Sequence, residues 1–136
     1  LLITADTIVY LEGEVLGKPA NSKEAYSMLR KLSGKTHQVI TGVTLRNINR
    51  SHTFSCVTEV TFAHLTDEQI KHYVDTYSPL DKAGAYGIQE WIGYVGVTRI
   101  EGSYYNVMGL PVQRLNQELK TFMDNENDTF LDNFIY

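Results

Sequence analysis

Two stretches of this chain, "HQVITGVTLRNI" and "FSCVTEVTFAHL", are crowded with β-branched residues and separated only by a short polar connection, "NRSH". β-branched side chains fit the pleated surface of a sheet, and two such runs joined by a few polar residues make an antiparallel hairpin. A hairpin with arms this long belongs in the middle of a sheet, so the remaining elements must be arranged around it.

Those elements are legible in outline. "LLITADTIVYL" reads as a buried strand from Leu1 to Leu11, with "LEGE" as the turn after it. Asn21 and Glu24 have capping-box spacing, Ala25, Met28, Leu29 and Leu32 fall on one helical face, and Gly34 supplies the stop. Thr66 and Gln69 form a second capping-box pair ahead of "IKHYVDTY", which Pro79 closes. "WIGYVGVTRIEGSYYNVMG" carries two short β runs around Glu101 and Gly102, and Pro111 opens a last helix, "PVQRLNQELKTFM". The order strand, helix, hairpin, helix, strands, helix predicts an α/β fold: one mixed central sheet flanked by helices, in a single domain over residues 1–123. An acidic tail, 124–136, stands apart.

The 136 residues suit one domain. The net charge of -4 is confined to Asp124, Glu126, Asp128 and Asp132; the rest of the chain balances twelve acids against twelve bases. That balance argues against a duplex nucleic-acid binder, which needs a basic face. There is no apolar run of membrane-spanning length and no secretory signal pattern, so the expectation is a cytoplasmic protein with no membrane partner. Cys56, the only cysteine, excludes an intrachain disulfide and reads as a small buried strand hydrophobe.

A few residues carry chemistry. Asp6 lies inside "ITADTIV", where a buried carboxylate needs either a structural hydrogen bond or work as a general base or cation ligand. Thr7 beside it points the other way unless the strand breaks. Lys18 in "LGKP", Lys35 in "SGKTH" and Lys82 beside Asp81 read singly as ordinary loop lysines, but together they suit a polyphosphate. His37, His52, His64 and His72 lack zinc-ligand spacing and take surface or core roles. Walker A, dinucleotide and nucleophile-elbow patterns are absent. In "GSYYNVMGLP", Gly109 permits a strained turn, and Tyr104, Tyr105 or Asn106 are candidates to face a cleft, although core packing is their commoner use.

Taken together, "TADTIVYLEGEVLGKP", "AYSMLRKLSGKTHQVITGV", "DKAGAYGIQ" and "GSYYNVMGLP" resemble the Maf family of septum-formation-inhibitor-like nucleoside triphosphate pyrophosphatases, over about Thr4 to Phe122. The resemblance implies hydrolysis of a nucleoside triphosphate between its α and β phosphates, with a divalent cation, magnesium or manganese. It implies Asp6 as the acidic catalytic residue that activates water or helps hold the metal, with Asp81 as a second acid near the metal. Lys18, Lys35 and Lys82 would neutralise the triphosphate. Glycines 84 and 87 would form a mobile segment that approaches the nucleobase or closes over it, and Gln89 would read the base. The pair Thr7 and Gln89 resembles the branch that prefers dTTP and UTP. Family members often pair, so a homodimer is among the expected partners. The family normally opens with a strand and a serine- and arginine-rich loop that grips phosphates; these residues contain neither, so the expectation is an N-terminally incomplete Maf-like domain. A non-catalytic nucleotide-binding regulator of cell division would share the same motifs.

Overall fold

The computed structural model describes residues 1–125. Its frame is the expected hairpin: β3 (Thr36–Arg46) and β4 (Ser51–Phe62) pair antiparallel along their whole lengths, from Thr36 opposite Thr61 to Arg46 opposite Ser51. β1 (Leu2–Leu11) lies on the other side of β3, β2 (Glu14–Leu16) outside β1, and β5 (Val97–Glu101) outside β4, giving the order β2-β1-β3-β4-β5. The hairpin is therefore central, and the fold class is α/β as expected. Every pairing is antiparallel rather than mixed. The turn "LEGE" makes a tight hairpin: Glu12 and Gly13 both have positive φ, 49° and 83°, the twist that joins two strands through two residues.

Five α-helices and one 3-10 turn (Ala83–Ala85) complete the described residues: α1 (Ser22–Leu32), α2 (Asp67–Tyr77), α3 (Trp91–Gly96), α4 (Tyr104–Met108) and α5 (Val112–Asp124). Asn21 caps α1 by accepting from the Glu24 amide. Thr66 and Gln69 close a full capping box on α2, each side chain bonded to the other's backbone N–H. The alternation of β3 sorts the layers, with His37, Val39, Thr41, Val43 and Leu45 all buried. Val39 belongs to a core with Val9, Leu29, Leu32, Ile70 and Tyr73, while Val43 and Leu45 pack with Phe54, Phe122 and Met123 of α5. Both cores use the same face of the sheet. On the other face Leu2, Tyr10, Val15 and Val57 are exposed.

Four local expectations change. β1 is buried only at Val9 and Leu11; from Leu2 to Asp6 it is exposed, because β2 pairs only with Val9 to Leu11 and the edge of β1 beyond has no strand partner among the described residues. "WIGYVG" is helix α3, not strand. The second β run, after Gly102, is helix α4, capped by Ser103 accepting from the Asn106 amide and ended at Gly109 with φ 121°. Cys56 stands on β4 as expected but is partly exposed, its sulfur 4.0 Å from the Arg114 guanidinium. The tail from 126 onward lies outside the described residues, and Asp124 ends α5. No described helix is long and apolar enough to cross a membrane.

Candidate active site

One cleft, about 250 Å³ in volume, gathers residues that are far apart in sequence. Its floor is Val9 of β1 and Val39 of β3, with Tyr86; one wall is Ala5, Asp6 and Thr7 at the free edge of β1. Lys18 enters from the link between β2 and α1, while Asp81, Lys82, Ala83, Gly87 and Gln89 enter from the link between α2 and α3. Val107, Met108 and Gly109 close the far side from the end of α4.

A backbone bond explains how the two lysine loops meet. The Gly84 amide donates to the Gly17 carbonyl at 3.1 Å, joining the neighbours of Lys18 to the neighbours of Lys82. Gly84 has φ 69°, and a Cβ there would stand 2.8 Å from Val9 Cγ2, so the loop lies directly on the cleft floor only because this residue is glycine. α4 is placed by Asn106, fully buried, whose amide nitrogen donates to the carbonyls of Val39 (3.2 Å) and Cys56 (3.3 Å) and to Thr58 Oγ1 (3.0 Å).

Two lysines and two aspartates share the cleft. Lys82 Nζ donates to Asp81 Oδ1 at 3.3 Å. That bond, with a backbone bond and a smaller pull from Lys18, holds the Asp81 carboxyl below the usual carboxylate range. Asp6 is exposed, not buried as its apolar neighbours suggested. β1 does not break: Asp6 pairs with Gly42 and Thr7 with Thr41 in unbroken register. Thr7 Oγ1 meets Thr41 Oγ1 at 2.9 Å on the helical side, and Asp6 takes the opposite alternation at the rim.

The "DKAGAYGIQ" loop is hydrogen-bonded to α2 through Gly87. Tyr73 of α2, fully buried, accepts the Gly87 amide at 3.0 Å and donates to Glu90 Oε1 at 2.5 Å. Burial and the Glu90 carboxylate push the Tyr73 phenol far up, so it stays a donor. Gly87 is crowded: an added Cβ would lie 2.8 Å from both Glu90 Oε1 and Lys82 Cε. Behind the loop, Tyr86 and His37 Nε2 are 2.5 Å apart. Burial raises the Tyr86 phenol far up and lowers His37 to about 4. Both groups therefore stay neutral at pH 7, joined by one hydrogen bond.

Of the residues singled out in the sequence, Asp6, Thr7, Lys18, Asp81, Lys82 and Gln89 all line the cleft. Lys35 does not: its ammonium pairs with Glu12 at 3.1 Å, because β3 begins next to it and carries it toward the β1–β2 turn. Tyr104 and Tyr105 are exposed and Asn106 is buried, and none lines the cleft; the next three residues do. Sequence reasoning missed Tyr86, Val107 and Met108, and also the Tyr73–Glu90 support. Ser103 six residues before Gly109, a cap and a stop, is the signal that would have placed α4.

Among the described residues no three His, Cys, Asp or Glu gather, so a divalent cation in this cleft would have only Asp6 and Asp81 as carboxylate ligands. The other ligands would be water and phosphate oxygens, as is usual for magnesium.

Known proteins resemble this chain in sequence. A dTTP/UTP pyrophosphatase of Phocaeicola vulgatus is 66% identical over 120 residues, which is 88% of this chain and 62% of that protein. The protein of the same name from Porphyromonas gingivalis is 60% identical over 122 residues, 90% of this chain and 61% of that one. That from Flavobacterium psychrophilum is 53% identical over 115 residues, 85% and 59%. The chain thus spans about three fifths of the length of the curated relatives it matches. The family model for Maf-like proteins matches residues 1–122, and the cleft lies wholly within that span: the chain belongs to the Maf family.

Proposed function

We propose that the protein carrying this chain hydrolyses dTTP and UTP, or modified pyrimidine nucleotides, to the nucleoside monophosphate and pyrophosphate, clearing such nucleotides from the cytoplasmic pool. The observation that carries this reading is the convergence on one cleft of Asp6, Lys18 and Lys82 with Asp81 and Gln89. Relatives bearing the name dTTP/UTP pyrophosphatase support it.

Each residue has a task that its chemistry suits. Lys82 and Lys18 bind and neutralise phosphate oxygens, which matters because phosphoryl transfer is accelerated mainly by positioning and charge stabilisation. Asp6 takes the proton of the attacking water as its oxygen bonds to the α phosphorus; the bond from that phosphorus to the bridging oxygen breaks, and pyrophosphate leaves. A bound magnesium or manganese ion, held by Asp6 and Asp81, would supply further charge neutralisation on the phosphates. Gln89 offers a donor and an acceptor to a pyrimidine edge, and Thr7 shapes the pocket beside it. At about 250 Å³ the cleft is slightly below the usual ligand-site range of roughly 300–1,000 Å³. It would enclose part of a nucleotide while the rest extends past the exposed rim. A homodimer also belongs to this proposal.

The test is product analysis on a nucleotide panel with magnesium. Equal yields of monophosphate and pyrophosphate from dTTP and UTP, well above those from purine nucleotides, are expected. Release of orthophosphate, or binding with no turnover, would overturn the reading.

A further inference from the structure

We infer that the Tyr73 hydroxyl, together with Glu90, is the positioning device for Gln89 and through it sets base selection, an inference that rests on the reading of Gln89 given above. Gln89 is exposed at the cleft, so its own packing does not fix it. The chain on either side of it is fixed instead, and by a single oxygen. Two residues before, the Gly87 amide donates to Tyr73 Oη at 3.0 Å; one residue after, the Glu90 carboxylate accepts from the same oxygen at 2.5 Å.

The bracket is rigid on both sides. Tyr73 is fully buried in α2, a helix closed by a complete capping box and stacked through Tyr77, ring to ring at 5.0 Å. Beyond Glu90, the Gly93 amide donates to the Glu90 carbonyl at 2.9 Å, and the Glu90 amide donates to the Gly87 carbonyl at 3.0 Å. A residue between two anchors on one atom can move little, and a displacement of about 1 Å in a positioning group is enough to cost on the order of a hundredfold. Because Gly87 also packs on Lys82 Cε and Glu90 Oε1, the bracket carries the phosphate-binding lysine as well, but the group it straddles is the amide.

The experiment measures kcat/KM for dTTP, UTP and dCTP on the intact protein and on Tyr73→Phe, Glu90→Ala, Glu90→Gln and Gln89→Ala, with the melting temperature and Gly87 amide exchange recorded for each. Tyr73→Phe and Glu90→Ala are expected to reduce the preference for dTTP and UTP over dCTP at least fivefold, mainly through KM, and to speed Gly87 exchange in Tyr73→Phe. Glu90→Gln keeps an acceptor for the hydroxyl and should retain most of the preference. If Gln89→Ala erases the preference while Tyr73→Phe lowers only the melting temperature, Tyr73 is merely structural and the inference fails. If the unsubstituted protein shows no preference, or Gln89→Ala does not change it, the reading of Gln89 fails instead and takes the inference with it.

Discussion

His37 shows how one residue's burial becomes a property of the whole protein. Its ring is fully buried between Phe62 and Tyr86, edge-on to both at 5.3 and 5.4 Å, and Nε2 shares a hydrogen bond with the Tyr86 hydroxyl. With the folded value lowered from 6.5 to about 4, the unfolded chain binds a proton below pH 6.5 that the folded chain refuses. Stability attributable to this group is therefore complete above pH 6.5 and falls with pH by about 1.4 kcal/mol per unit until about pH 4, about 3 kcal/mol in all. Urea unfolding of the wild type and of His37→Leu at pH 7 and pH 5 checks this: the substitution lowers stability at pH 7, and its pH dependence over that range is smaller. The lysines give a second contrast. Lys35 and Lys82 look alike in sequence, each in a short loop beside glycines, yet only Lys82 lines the cleft. Lys82→Ala is expected to lower kcat/KM for dTTP by a hundredfold or more, and Lys35→Ala by less than twofold. A one-residue signal could not separate them, because the difference is where β3 starts relative to the β1–β2 turn.

At the scale of elements, what was legible followed periodicity and caps. α1 and α2 carry both signals, and the β3–β4 hairpin carries alternation long enough to fix its register. α3 carries neither: "WIGYVG" is aromatic and β-branched and has no side-chain cap, and its Gly93 lies so close to the Ile88 carbonyl that an added Cβ would be 1.9 Å from the oxygen. Gly93→Ala is accordingly expected to destabilise by more than about 3 kcal/mol, or to leave no folded protein, as denaturant titration will show. The one-sided sheet makes a further prediction. Val43 is fully buried against α5 while Val57 is about half exposed on the other face. Val43→Ala should cost about 2 kcal/mol and Val57→Ala less than about 1, measured by the same titration.

Across the whole molecule, the fold class and most of the cleft were legible because the chemistry-bearing residues lie in short blocks, and the sheet order brings those blocks to one end of the helical face. What remained illegible was support: the Gly17–Gly84 bond that joins the lysine loops, and the Tyr73 hydroxyl that pins the second one. Both depend on pairings between separate segments of chain that leave no local pattern. The account's central claim is that these blocks form a pyrophosphatase centre acting through the Asp6 carboxylate. The most direct test is pyrophosphate release from dTTP by the intact protein and by Asp6→Asn, with circular dichroism and melting temperature matched between them. The account predicts turnover in the first and a loss of at least a hundredfold in the second with the fold unchanged. An Asp6→Asn protein that releases pyrophosphate at the wild-type rate would contradict it.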